Sequence, residues 1–129
     1  MNAPFSLSRK KLVVVIDDDP LVLEATGSLI RSWGCDVVVA PTYQDALERL
    51  RAEGRRPDLI VSDYRLSDSE NGVDAIEGLR HAFEIPALLI TGDGSFSPYD
   101  VDETDFQLLY KPVSPTALRD AVSATVLHS

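Results

Sequence analysis

Cysteine is nearly absent from this chain. Cys35 stands alone, so no internal disulfide can form. That excludes the stapled architecture of small extracellular scaffolds and fits a reducing cytoplasm. Long apolar runs are missing too: the longest, 12–16 and 87–90, span five and four residues. A membrane-spanning helix needs roughly 20. The basic cluster Arg9, Lys10 and Lys11 precedes the first run, but that run leads straight into aspartates with no small-residue cleavage site. A secretory leader is therefore not expected. Positive charge is scarce: 12 lysines and arginines face 21 aspartates and glutamates, a net charge of −9. Such a chain should repel a nucleic-acid backbone rather than bind it.

What is present suits one soluble domain. A length of 129 residues with 44% apolar content can bury a real core. Of five apolar runs, those at 12–16, 37–40, 59–61 and 87–90 read as buried strands, and 106–110 as a less regular fifth. Between them lie segments with helical spacing. Val22, Ala25, Leu29 and Trp33 are expected on one face; Ala46, Leu47 and Leu50 on another; Val73, Ile76, Leu79 and Phe83 on a third; Leu118, Ala121, Val122 and Thr125 on the last. This alternation predicts an α/β fold with a parallel sheet covered on both faces.

Helix punctuation agrees. Asp19–Pro20 and Ser114–Pro115 read as an N-cap followed by a first-turn proline, and Thr42 with Asp45 as a capping box. Gly34 and Gly54 stand where helices should stop. Between Thr91 and Phe106 two glycines, a proline and five acids replace an apolar face, so the fourth helix should be short or distorted. Residues 1–10 should form a flexible segment ahead of a domain over 11–129.

Acids gather at 17–19, 63–70 and 93–105, each after an apolar run. In an open parallel sheet, ligands bind outside the carboxyl ends of the strands, where strand order reverses. Asp17 and Asp18 follow the first run, Asp63 closes the third, Thr91 the fourth, and Lys111 follows the fifth. Three carboxylates held together repel unless a cation joins them. Mg²⁺ suits carboxylate, carbonyl and water ligands beside a phosphate, and lysine supplies a point charge for phosphate oxygens. A carboxylate is already ionised at neutral pH and needs no general base to act as a nucleophile. The inventory fits phosphoryl transfer, where catalysis is positioning plus charge neutralisation.

The segments VVVIDDDP, LIVSDYRL, LLITG and LLYKPV resemble, in order and spacing, the signatures of the response-regulator receiver family. The resemblance implies a three-layer, flavodoxin-like, doubly wound fold with five parallel strands in the order 2-1-3-4-5 and about five helices. It implies Asp63 as phosphoacceptor, Asp17, Asp18 and Asp63 as ligands of Mg²⁺ (or Mn²⁺), and the backbone carbonyl of Arg65 as a further ligand. Thr91 would be the switch hydroxyl and Lys111 the phosphate-binding lysine, with a cis Lys111–Pro112 bond. The implied partner is a histidine kinase or histidine-phosphotransfer domain as phosphodonor, with no direct nucleic acid and no membrane insertion. Weak self-association is also allowed. The isolated domain would be no enzyme beyond self-catalysed acceptance and slow self-dephosphorylation.

The chain departs from the family in places. The aromatic common three residues before the lysine is Leu108 here, and Tyr110 is expected on the other face of the strand. Ser67 replaces a frequent proline. These features, with DYRL and LLITGD, resemble most the receiver at the C-terminal end of hybrid sensor kinases. Two other readings stand beside this one: a receiver-like interaction module that takes no phosphate, and an aspartyl-phosphate hydrolase built on Asp17 and Asp19. The second leaves Asp63 unexplained and meets Pro20 where such enzymes place a smaller residue. Asp19 reads better as the cap before Pro20. No Gly-rich phosphate loop follows the first strand, which disfavours a nucleotide module.

Overall fold

A computed structural model describes residues 10–67, 70–92 and 106–126. In chain order the elements are β1 (Leu12–Ile16), α1 (Pro20–Ser32), β2 (Asp36–Ala40), α2 (Tyr43–Glu53), β3 (Leu59–Asp63), β4 (Arg65–Ser67), β5 (Glu70–Asn71), α3 (Gly72–Ala82), β6 (Ala87–Thr91), β7 (Phe106–Tyr110) and α4 (Pro115–Val126). The main sheet has the order β2-β1-β3-β6-β7 with every pairing parallel. β6 and β7 are its fourth and fifth strands, so the expected order 2-1-3-4-5 holds. The expected flexible start and the distorted helix between Thr91 and Phe106 lie outside the described residues.

The caps form as their residue types dictate. Asp19 Oδ1 accepts from the Leu21 amide at 3.0 Å, Thr42 Oγ1 from the Asp45 amide at 3.1 Å, and Ser114 Oγ from the Ala117 amide at 3.0 Å. Gly34 and Gly54, at φ 92° and 68°, end α1 and α2 in the left-handed region that favours glycine.

Because side chains alternate along a strand, each central strand feeds two cores. Val14, Ile16, Ile60 and Leu89 pack under α2 and α3 with Leu50, Ile76 and Leu79; Val13, Val15, Val61 and Leu88 pack under α1 and α4 with Leu23, Ile30, Leu118 and Val122. This is the expected three-layer arrangement. The face of α1 differs from expectation. Leu23, Gly27 and Ile30 are its buried residues, while Val22 and Ala25 are exposed. Gly27 decides this: a Cβ there would stand 2.9 Å from Val39 Cγ1, so α1 approaches the sheet along its glycine rather than along the larger residues beside it.

Two features were not expected from the sequence. A small antiparallel hairpin, β4–β5, pairs Arg65 with Asn71 just after the third strand. Tyr110 also shares the face of Leu108. Leu108 packs with the α2–α3 core and Leu109 with the other core, and the β6–β7 ladder runs unbroken from Ala87–Phe106 to Thr91–Tyr110. Residues two apart in such a strand point the same way, which corrects the expected opposite placement.

Candidate functional site

The chain crosses from β2, on one side of β1, to β3 on the other, so strand order reverses at the carboxyl ends of β1 and β3. Register then fixes what meets there. Ile16 stands opposite Ser62, Asp63 opposite Ile90, and Thr91 opposite Tyr110. Asp17 therefore leaves β1 beside Asp63, while Thr91 ends β6 and Lys111 follows β7 at the same edge.

The side chains converge. One carboxylate oxygen from each of Asp17, Asp18 and Asp63 lies within 4.8 Å of the other two. Lys111 Nζ stands 2.8 Å from Asp63 Oδ1. Asp17, Asp63 and Thr91 are buried, whereas Asp18 is exposed. The Lys111 amide donates to the Thr91 carbonyl at 2.9 Å, tying the lysine to the end of β6. Lys111–Pro112 is cis. Arg65 sits on β4 with its side chain exposed.

Asp17 carries the electrostatic cost of this arrangement. Burial pushes its carboxyl up to about 6, against the Asp19 amide donating to Oδ1 at 2.9 Å. The Asp63 charge adds to the rise, Lys111 opposes it, and Asp18 raises it further. The nearest ammonium is already engaged by Asp63. A buried carboxylate crowded by two others, all offering hard oxygen donors, is the chemistry a divalent hard cation satisfies. The residues present therefore fit Mg²⁺.

A family comparison agrees with this geometry. The response regulator receiver domain model matches residues 13–123. The chain belongs to that family. Among curated receivers, it is 32% identical to the phyllosphere-induced regulator PhyR of Methylorubrum extorquens over 113 residues, 86% of this chain and 42% of that protein. It is also 32% identical to the transcriptional regulatory protein GlrR of Escherichia coli over 127 residues, 91% of this chain and 26% of that one. The chain thus spans less than half the length of either regulator. Among solved receivers, the PhyR receiver domain of Erythrobacter litoralis superposes with a TM-score of 0.77 at 27% identity, covering 95% of this chain and 93% of that one. A Clostridium thermocellum receiver gives 0.79 at 21% identity, covering 92% and 95%.

Two glycines shape this receiver's pocket and were missed in the sequence. At Gly92 a Cβ would meet Lys111 Cβ and Cδ, each at 3.3 Å, so the lysine stem lies across that residue. At Gly72 a Cβ would stand 2.3 Å from the Asp63 carbonyl oxygen. The only available signal was a small residue following a strand-end threonine and another following an asparagine cap. A cleft of about 520 Å³ also opens beside the pocket. Val22 and Leu29 of α1, with Val113 and Leu118, form much of its apolar wall, and Asp17, Asp63 and Lys111 line it too.

Proposed function

We propose that this receiver accepts a phosphoryl group on Asp63 from a phosphohistidine donor, a histidine kinase or a histidine-phosphotransfer domain, in a Mg²⁺-dependent reaction. The observation that carries the reading is the Lys111 ammonium 2.8 Å from Asp63 Oδ1, with Asp17 and Asp18 in reach of the same carboxylate.

Asp17, Asp18 and Asp63, with the Arg65 carbonyl, would hold Mg²⁺ (or Mn²⁺), which supplies charge neutralisation for the phosphoryl oxygens when bound. The chain's own residues do the rest. An Asp63 carboxylate oxygen attacks phosphorus as the bond from phosphorus to the donor imidazole nitrogen breaks, and the donor ring, protonated on its other nitrogen, departs as neutral imidazole. Lys111 turns from the Asp63 carboxylate to the new phosphoryl oxygens, keeping a positive charge where negative charge arrives. Thr91, at the end of β6, supplies a hydroxyl donor to the same group.

The relatives bear on readout. PhyR of Bartonella quintana is described as an anti-anti-sigma factor, and its structure covers 98% of this chain with a TM-score of 0.74 at 25% identity. This likeness, with the net charge of −9, favours a signal read by a protein partner over direct DNA contact. Placement at the end of a hybrid sensor kinase has no support among these relatives. No described helix is long and apolar enough to cross a membrane, and a cytoplasmic setting suits the proposed donors.

The test is to incubate the protein with Mg²⁺ and acetyl phosphate and weigh it intact. One added phosphoryl group, absent from Asp63→Asn and from samples with EDTA, is the expected result. An unmodified wild-type chain, or an equal adduct on Asp63→Asn, would overturn the assignment and leave the interaction-module reading in its place.

A further inference from the structure

We propose that Gly72 is a positioning residue for Asp63: the absence of a side chain lets the first turn of α3 seat against the acceptor's main chain and so fixes where its carboxylate points. The proposal rests on the phosphoacceptor reading and assigns a determinant of that site on a different element.

Conformational freedom does not explain this glycine. Among the described glycines only Gly34 and Gly54 have positive φ, so the backbone at 72 would accept alanine. Space explains it. An added Cβ would lie 2.3 Å from the Asp63 carbonyl oxygen, 3.0 Å from the Asp63 carbonyl carbon and 2.7 Å from Leu89 Cδ1. The leucine tip can turn away, but the main-chain oxygen cannot yield without moving Asp63.

Nor can α3 easily retreat. The Gly72 amide donates to the Tyr64 carbonyl at 2.7 Å, and the Tyr64 amide donates to the Ile90 carbonyl at 2.8 Å. Ser62 Oγ donates to the Asp63 carbonyl at 3.0 Å. The two peptides after Asp63 are therefore held by β6 on one side and by α3 on the other. Asn71 caps α3 by accepting from the Asp74 amide at 3.0 Å. Leu66 pins the hairpin, and Ile76 and Leu79 pin the helix, all fully buried. A methyl at 72 must displace the Asp63 peptide, and with it the Arg65 carbonyl two residues on. Misplacement of a reacting group by about 1 Å can cost on the order of a hundredfold in rate.

The experiment compares Gly72→Ala with Gly27→Ala, whose Cβ would press on Val39 at 2.9 Å in the core beneath α1. Thermal melting gives the stability cost of each. The readouts are the phosphorylation rate with acetyl phosphate and Mg²⁺ affinity by calorimetry. Gly72→Ala should phosphorylate at least about tenfold more slowly and bind Mg²⁺ at least about threefold more weakly, while Gly27→Ala stays within about twofold on both at similar stability loss. If Gly72→Ala does not fold, the same change in a Leu89→Val background removes the leucine contact and keeps the contact with Asp63. A folded Gly72→Ala with wild-type rate and Mg²⁺ affinity overturns the proposal. So do equal losses in Gly27→Ala, and so does unfolding of both Gly72 variants, which would make the residue a determinant of the fold. A wild type that takes no phosphoryl group instead overturns the phosphoacceptor reading itself.

Discussion

Lys111 Nζ and Asp63 Oδ1 stand 2.8 Å apart, the lysine side chain half exposed and the carboxylate buried. The ammonium therefore occupies space that a divalent cation's field also reaches. Removing it leaves Asp17, Asp18 and Asp63 with less compensation, and unit charges a few ångströms apart near a surface interact by several kcal/mol at most. Lys111→Met should bind Mg²⁺ about three- to tenfold more tightly by calorimetry, yet phosphorylate at least about tenfold more slowly from acetyl phosphate. Tighter binding with an unchanged rate would show that Lys111 has no part in transfer.

Asp17 gives a pH signature. Its folded value of about 6 lies above its ordinary 3.8, so the folded state holds a proton that the unfolded chain releases. The resulting penalty is full above about pH 6, shrinks as pH falls through that value, and is gone below about 3.8. Asp17→Asn keeps the oxygen that accepts from the Asp19 amide and removes the charge. Without Mg²⁺ it should be more stable than wild type at pH 7.5 by on the order of 1 kcal/mol in urea melts, with the gap closing toward pH 4. Adding Mg²⁺ should stabilise the wild type more than the mutant. A mutant equal to or weaker than the wild type at pH 7.5 without Mg²⁺ would refute this account of Asp17.

Much of this could be read in the sequence because it is local. Caps at Asp19, Thr42 and Ser114, stops at Gly34 and Gly54, strands closed by Asp63 and Thr91, and strands followed directly by Asp17 and Lys111 depend on neighbours a few residues away. What escaped depends on contacts distant in the chain. Gly27 turns α1 onto Leu23 and Ile30 because Val39 leaves no room for a side chain there, and helical spacing alone favoured Val22 and Leu29. Gly72 and Gly92 matter through Asp63 and Lys111, nine and nineteen residues away along the chain. The β4–β5 hairpin has strands of three and two residues, too short to leave a period-2 signal.

Arg55 separates stability from chemistry. Its guanidinium bonds Asp36 at 2.8 Å and the Lys10 carbonyl at 2.7 Å, joining the loop before β3 to the starts of β1 and β2, at the sheet edge opposite the acidic pocket. A part-exposed ion pair contributes little, and the carbonyl bond about as much again. Arg55→Ala should cost about 1 kcal/mol in urea melts and leave acetyl phosphate labelling of Asp63 within about twofold of wild type. A labelling defect larger than the stability loss would show coupling between the two edges of the sheet.

Leu21 tests how a donor is met. It lies in the first turn of α1, just after Pro20, and is 82% exposed, with Val22 beside it at 41% on the cleft that reaches Asp63 and Lys111. Under the proposed function a phosphohistidine would come within bonding distance of Asp63, so the protein carrying it would cover part of this rim, whereas acetyl phosphate need not touch it. Exposed apolar residues at such a rim gain most from burial by a partner. Leu21→Gln should leave stability within about 0.5 kcal/mol of wild type and acetyl phosphate labelling unchanged. Transfer from a phosphorylated kinase or phosphotransfer protein that serves the wild type should slow at least about fivefold, the loss of one apolar contact of about 1 kcal/mol. Equal slowing with both donors would place the defect inside the pocket instead of at the rim, and no slowing with either would move the docking surface away from α1.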